Sequence, residues 1–142
     1  MATETHGQVQ YINPDKLHRN PGFTQMVTVS GPVRTVYIGA QWAVDGSGNL
    51  VGKGDLAAQT EQILRNIDVC LEAVAARPED LIHLSVYVAQ GQDMRPAIEA
   101  GMRWWGGRPN PPMNNVMYVA GFYPPDFLIS IEAIAVVPLE ET

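Results

Sequence analysis

Glu132 is a lone carboxylate in the run Phe127–Val137, whose other residues are mostly Ile, Val, Leu and Ala. Such a run, without Gly or Pro, predicts a central strand that is apolar on both faces. An ionised carboxylate buried there without a partner costs several kcal/mol, on the order of the effective penalty for a buried ion. Glu132 must therefore reach a polar pocket, pair with a donor or hold a proton. Strand alternation places Ser130 on the same face, the face on which a site is expected. The structural alternative is a carboxylate hydrogen-bonded in place, or turned into a subunit interface. Two other stretches put small or polar residues at strand ends: Gly39-Ala40-Gln41 and Met113-Asn114-Asn115. Strand ends combine fixed geometry with solvent access, and Asn and Gln amides both donate to and accept from a small polar ligand.

Other chemistries find little support. His6, His18 and His83 lack metal-ligand spacing and Cys70 is alone, so neither a zinc nor an iron centre is expected. Gly52-Lys53-Gly54 lacks the spacing of a phosphate loop, and no serine sits in a G-x-S-x-G elbow. His83, Cys70 and the Trp104-Trp105 pair read most simply as packing or surface residues.

The elements that must position these residues follow from periodicity. Residues 1–22 are polar, with Asn13-Pro14 and Asn20-Pro21 as turn signals, and predict an arm or irregular lead-in. Met26–Ser30 and Val33–Ile38, split by Gly31-Pro32, predict a hairpin. Asp55 is a good N-cap for a helix with apolar residues at Leu56, Ile63, Leu64, Ile67, Leu71 and Val74, stopped by Arg77-Pro78. Leu81–Ala89 alternates as a strand with one polar face. Asp93 can cap a second helix, which ends at Gly106-Gly107. Asn115–Ala120 and the Glu132 run complete the series. This order predicts one domain over residues 1–142, an α+β layer with two helices on one face of a mixed sheet of five or six strands. The uncovered apolar face predicts self-association.

Of the 142 residues, 46% are hydrophobic, enough for a real core. The net charge of −6, with no Lys/Arg cluster, is a poor match for nucleic acid or an anionic membrane. No apolar run reaches spanning length and the N-terminus has no signal-like segment, so a cytoplasmic location is expected, consistent with a single cysteine.

The chain resembles the reactive-intermediate deaminase (Rid, YjgF-like) family over roughly Asn20 to Val137. The resemblance rests on Val36-Tyr-Ile-Gly-Ala-Gln41, on Asp55 to Gln59 with Gln62 and Asn66, on Asp80–Val88, and above all on Ile131-Glu-Ala-Ile-Ala-Val136. It implies a chorismate-mutase-like fold and a homotrimer with ligand clefts between subunits. It also implies hydrolysis of reactive enamines and imines without metal or organic cofactor, with Glu132 positioning or activating water.

The family's active-site pattern is altered, however. Met113 stands where the resemblance implies a carboxylate-binding arginine, and Asn115 where it implies a cysteine. Gly39 replaces a serine, Phe23 a tyrosine and Ile98 an asparagine. Methionine cannot make the bidentate, charge-assisted grip on a carboxylate. Arg34, Arg103 and Arg108 are the candidates for a substitute cation. The expected site therefore has Glu132 as base or water-positioner, with Gly39, Gln41, Met113, Asn114, Asn115, Phe23 and Ile98 binding a small, uncharged imine, enamine or related carbonyl compound. The alternative is a non-catalytic trimer that binds a metabolite or a protein partner in the same clefts. RNA cleavage is disfavoured by the acidic balance.

Overall fold

The computed structural model describes residues 5–140. The apolar run at the end of the chain forms a strand at Ile129–Pro138 (β6), which lies between two others. On one side it pairs antiparallel with Val33–Gln41 (β3), and on the other antiparallel with Leu81–Ala89 (β4). Met113–Val119 (β5) adds parallel to β4, giving the order β3-β6-β4-β5. The ladder thus takes in Met113 and Asn114, which the sequence pattern left outside the strand.

Gln8–Ile12 (β1), within the stretch read as a polar arm, pairs antiparallel with Met26–Ser30 (β2) in a separate two-stranded ribbon. The expected hairpin between Met26–Ser30 and Val33–Ile38 does not form. Pro32 has no N–H to give such a pair, and its carbonyl accepts from the Leu139 amide at 3.0 Å. The turn is therefore already committed to the β3–β6 side, and β2 takes β1 instead. Among the described residues the main sheet has four strands rather than five or six.

Leu56–Ala73 forms the first helix (α1), capped as expected: the Asp55 carboxylate accepts from the Ala58 amide at 3.0 Å. Its Ile63, Ile67 and Leu71 are almost wholly buried, together with Leu81, Val88, Ile129 and Ala135 of the sheet. The helix stops well before Arg77-Pro78. Ala75 turns left-handed at φ 55°, and the Ala76 amide donates back to the Leu71 carbonyl at 2.9 Å, a Schellman-type ending.

Arg95–Trp105 forms the second helix (α2), ended as expected at Gly106, φ 65°. Asp93 is not its N-cap. Met94 holds that position, and Asp93 instead grips Arg95 through the backbone amide at 3.1 Å and the guanidinium at 2.7 Å. Both helices lie on one face of the sheet, so the α+β layer is as expected. No helix among the described residues is long and apolar enough to cross a membrane.

Candidate functional site

Strand partners in register project to the same face, so the ladders sort the candidate residues. Glu132 of β6 pairs with Ser85 of β4, which pairs with Asn115 of β5. This row lies on the face turned away from the helices, because the next residues, Ile131 and Ala133, are buried beneath them. Opposite residues in neighbouring strands have Cβ atoms about 5 Å apart. Glu132 and Asn115 thus flank Ser85 at a spacing of about 10 Å, room for a small molecule to lie across the row. Flanking rows run Met113–His83–Ile134–Tyr37 and Met117–Tyr87–Ser130. Met113 is therefore one row from Glu132, on the same face. The His83 ring nitrogen Nδ1 is 3.5 Å from the Ser85 hydroxyl.

The β3 edge of this face is irregular. Ile38 pairs with Ala133 and Gln41 with Ile131, so Gly39 and Ala40 together stand opposite Glu132. Such a bulge re-aims a strand next to a site. A Cβ added at Gly39 meets no atom within 4 Å, so the backbone there is open to a ligand. Gln41 turns its amide back on its own strand, donating to the Gly39 carbonyl at 3.2 Å.

Glu132 itself is exposed in the single chain, and among the described residues it has no ion-pair partner. Solvent meets the requirement that the sequence placed on a buried carboxylate. The three arginines able to replace the missing cation are engaged elsewhere. Arg34 donates to the Val74 carbonyl, Arg103 pairs with Glu61 at 3.1 Å, and Arg108 pairs with Glu79 at 3.0 Å. Among the described residues, no three His, Cys, Asp or Glu side chains come together as a metal site.

Phe23, Ile98 and Asn114 lie elsewhere in the chain. Asn114 alternates with Asn115 and pairs with Leu84, so it faces the helices. All three line a cavity of about 520 Å³ between α2 and the sheet. Within one protomer the sheet itself separates this cavity from Glu132.

Two amides of α1 hold the site's backbone. Gln59 is fully buried. Its amide donates to the carbonyls of Gly52, at 3.1 Å, and Asp126, at 2.9 Å, and it accepts from the Leu128 amide at 2.9 Å. It thereby fixes the turn that launches β6. Asn66 donates to the Trp42 and Val44 carbonyls at 3.0 and 3.1 Å, fixing the chain just past the bulge. The family resemblance marked both residues without their role. Sequence reading also undervalued Ser85 and His83, although the polar alternation of β4 already carried that signal.

Two helices on one face of a mixed sheet give this chain the fold of the solved Rid/YjgF structures it resembles. A family model described as Endoribonuclease L-PSP matches residues 17–137, and the chain belongs to this family. A RutC family protein of Pyrococcus horikoshii is 33% identical over 100 residues, which cover 70% of this chain and 77% of that protein. Among solved structures, the Rid family protein YyfB of Yersinia pestis is 32% identical with a TM-score of 0.78, over 89% of this chain and 97% of that one. The YjgF gene product of E. coli is 27% identical with a TM-score of 0.64, over 72% and 80%.

Proposed function

We propose that the open face around Glu132 is a small-molecule site, closed by neighbouring copies in a homotrimer, that hydrolyses or tautomerises an uncharged imine, enamine or related carbonyl compound. The observation that carries this reading is the row Glu132–Ser85–Asn115 opposite the β3 bulge. It offers a base, a hydroxyl and an amide on one surface with no cation committed to it. In hydrolysis, the Glu132 carboxylate takes a proton from water as the water oxygen attacks the C=N carbon. Glu132 returns that proton to the imine nitrogen, giving the carbinolamine. It then takes the carbinolamine hydroxyl proton and passes it to the nitrogen as the C–N bond breaks, so the carbonyl compound and the amine leave and the carboxylate is regenerated. Ser85 and Asn115 orient the substrate by hydrogen bonding.

The absent anchor sets the substrate class. Losing a charged partner costs a carboxylate ligand about 2–5 kcal/mol. Small 2-imino acids are therefore poor substrates and neutral imines better ones. The family description includes the word endoribonuclease, but a net charge of −6 opposes binding to a phosphate backbone.

The test is turnover of a panel of neutral imines and enamines by the wild type and by Glu132→Gln. General acid–base catalysis contributes about 10²–10⁴-fold, so a loss of that order is expected. Undiminished turnover by Glu132→Gln would end the mechanism. A ligand that raises the melting temperature without being turned over would favour the non-catalytic binding module.

A further inference from the structure

We infer that His83 is the specificity-determining residue of the open face. It holds the substituent beside the C=N carbon: a neutral carbonyl at neutral pH, and a carboxylate once the ring is charged. This rests on the reading of that face as the substrate site. The ladders put His83 between Met113 of β5 and Ile134 of β6, one row from Glu132 and Asn115. Both flanking side chains are apolar, so the half-buried imidazole is the polar group at the centre of its row. Diagonal neighbours across a strand pair lie about 7–8 Å apart. Glu132 can therefore hold a water at the C=N carbon while the next atoms of the substrate reach the ring.

The two ring nitrogens are not equivalent. Nδ1 lies 3.5 Å from the Ser85 hydroxyl, at the long end of hydrogen-bond range, and Nε2 has no partner among the described residues. With Nδ1 accepting from Ser85, the neutral ring carries its proton on Nε2, the nitrogen left for a ligand. A ligand carbonyl accepts from that N–H. An imidazole takes up a second proton, and a full charge, as pH falls from about 8 to 5. The same bond to a carboxylate is then charge-assisted. The neighbouring charges are few. Glu132 of β6 repels an anionic ligand. Tyr37 of β3 ends the His83 row, Tyr87 follows Ser85 on β4, and a phenol titrates only at about pH 10. Strand β5 brings Met113, Asn115 and Met117, none of which titrates. Before β4, the Asp80 carboxylate accepts from the Arg77 amide at 2.8 Å, and Tyr11 of β1 gives its hydroxyl to the Leu81 carbonyl at 2.8 Å. Among the described residues of these rows, His83 is the group that can pass from neutral to cationic.

The probes are pyruvate and pyruvamide, a carboxylate and its neutral amide, titrated calorimetrically into the wild type at about pH 5.5 and about pH 8. Pyruvamide should bind alike at both. Pyruvate should bind about tenfold more tightly at the lower pH, the gain of a charge-assisted over a neutral hydrogen bond. His83→Gln keeps a side-chain N–H without the charge. It should hold pyruvamide within about threefold of the wild type and bind pyruvate without the pH step. His83→Lys should bind pyruvate at about pH 8 as tightly as the wild type does at about pH 5.5. Melting temperature checks the folding of each variant. Glu132→Gln should keep the step. A wild type that lacks the step, or binds neither probe, would overturn the inference. So would a step that survives in His83→Gln, and its loss in Glu132→Gln would move the proton to that carboxylate. Turnover is a separate matter. The step in a catalytically inert protein would keep this inference and sink the proposed reaction, while Glu132-dependent turnover without the step would do the reverse.

Discussion

Met113 tests the substrate argument at the level of one side chain. It shares a face with Glu132 and Asn115 and pairs with His83, so a long cation there reaches over the same surface. Met113→Arg should create activity or binding toward 2-iminopropionate where the wild type has little, measured by release of pyruvate. Strong activity in the wild type would show that another group already grips the carboxylate. Tyr11 carries a separate prediction. Its hydroxyl donates to the Leu81 carbonyl at 2.8 Å and ties the β1–β2 ribbon to the start of β4. Burial, with a smaller push from the Asp80 charge, raises its pKa to about 12. A folded pKa above the unfolded value means that the folded state holds the proton more tightly. This stabilisation is complete below about pH 10, the unfolded tyrosine value, and is lost as pH rises through the folded one. The wild type should therefore lose melting temperature more steeply than Tyr11→Phe above pH 10. At neutral pH Tyr11→Phe should cost about 1 kcal/mol in urea denaturation, the net worth of a hydrogen bond.

Among the elements, α1 bears most on the site, although it never touches it. Gln59→Leu keeps the volume close but orphans the Leu128 amide and the Asp126 carbonyl, and leaves the Gly52 carbonyl only the Asp55 amide. Leaving such groups unsatisfied costs about 1–3 kcal/mol each. We expect a loss of about 3 kcal/mol or more in denaturant, with turnover impaired even where the fold survives. The helix ending predicts the opposite sign. Ala75 holds φ 55°, a region in which a Cβ is strained, so Ala75→Gly should stabilise by up to about 1 kcal/mol. These two cases mark where sequence reading succeeds and where it stops. Asp55, the α1 periodicity, the central strand and Gly106 were legible because each rests on a local rule of capping, spacing or backbone preference. The end of α1 was not, because a left-handed alanine competes poorly with an Arg-Pro breaker in any local rule. Nor was the partner of β2, which depends on Pro32 bonding to Leu139, a hundred residues away in the chain. For the site, alternation alone put Ser130 and Glu132 on one face, while the shared face of Met113 and Asn115 appears only in the ladder register. The bulge opposite Glu132 and the cavity holding Phe23, Ile98 and Asn114 arise from ladder register and helix placement, which no local pattern encodes.

At the scale of the whole molecule, the two faces of the sheet differ. On the helix side Ile129, Ile131, Ala133 and Ala135 are buried in one core with residues of α1, while the other side leaves Tyr37 78% and Met117 46% exposed. Apolar surface of this kind on a sheet face favours association. If three copies close over it, the Glu132 row becomes a cleft wall rather than open surface, and assembly and activity rise and fall together. Tyr37→Lys and Met117→Lys separate the terms. Both side chains are already well exposed in the single chain, so each substitution should change monomer stability by no more than about 0.5 kcal/mol. Each should nonetheless move the assembly toward monomer in sedimentation velocity, because a charge placed in an interface is desolvated without a partner. The wild-type melting temperature should rise with protein concentration, as linkage to self-association requires, and that dependence should vanish in the dissociated variants. Turnover should fall with the fraction assembled rather than with the substitution itself. It should recover in heterotrimers where a wild-type neighbour supplies the covering face. Variants that stay trimeric would place the interface on another surface, and a fully active monomer would show that Glu132 works without a neighbour.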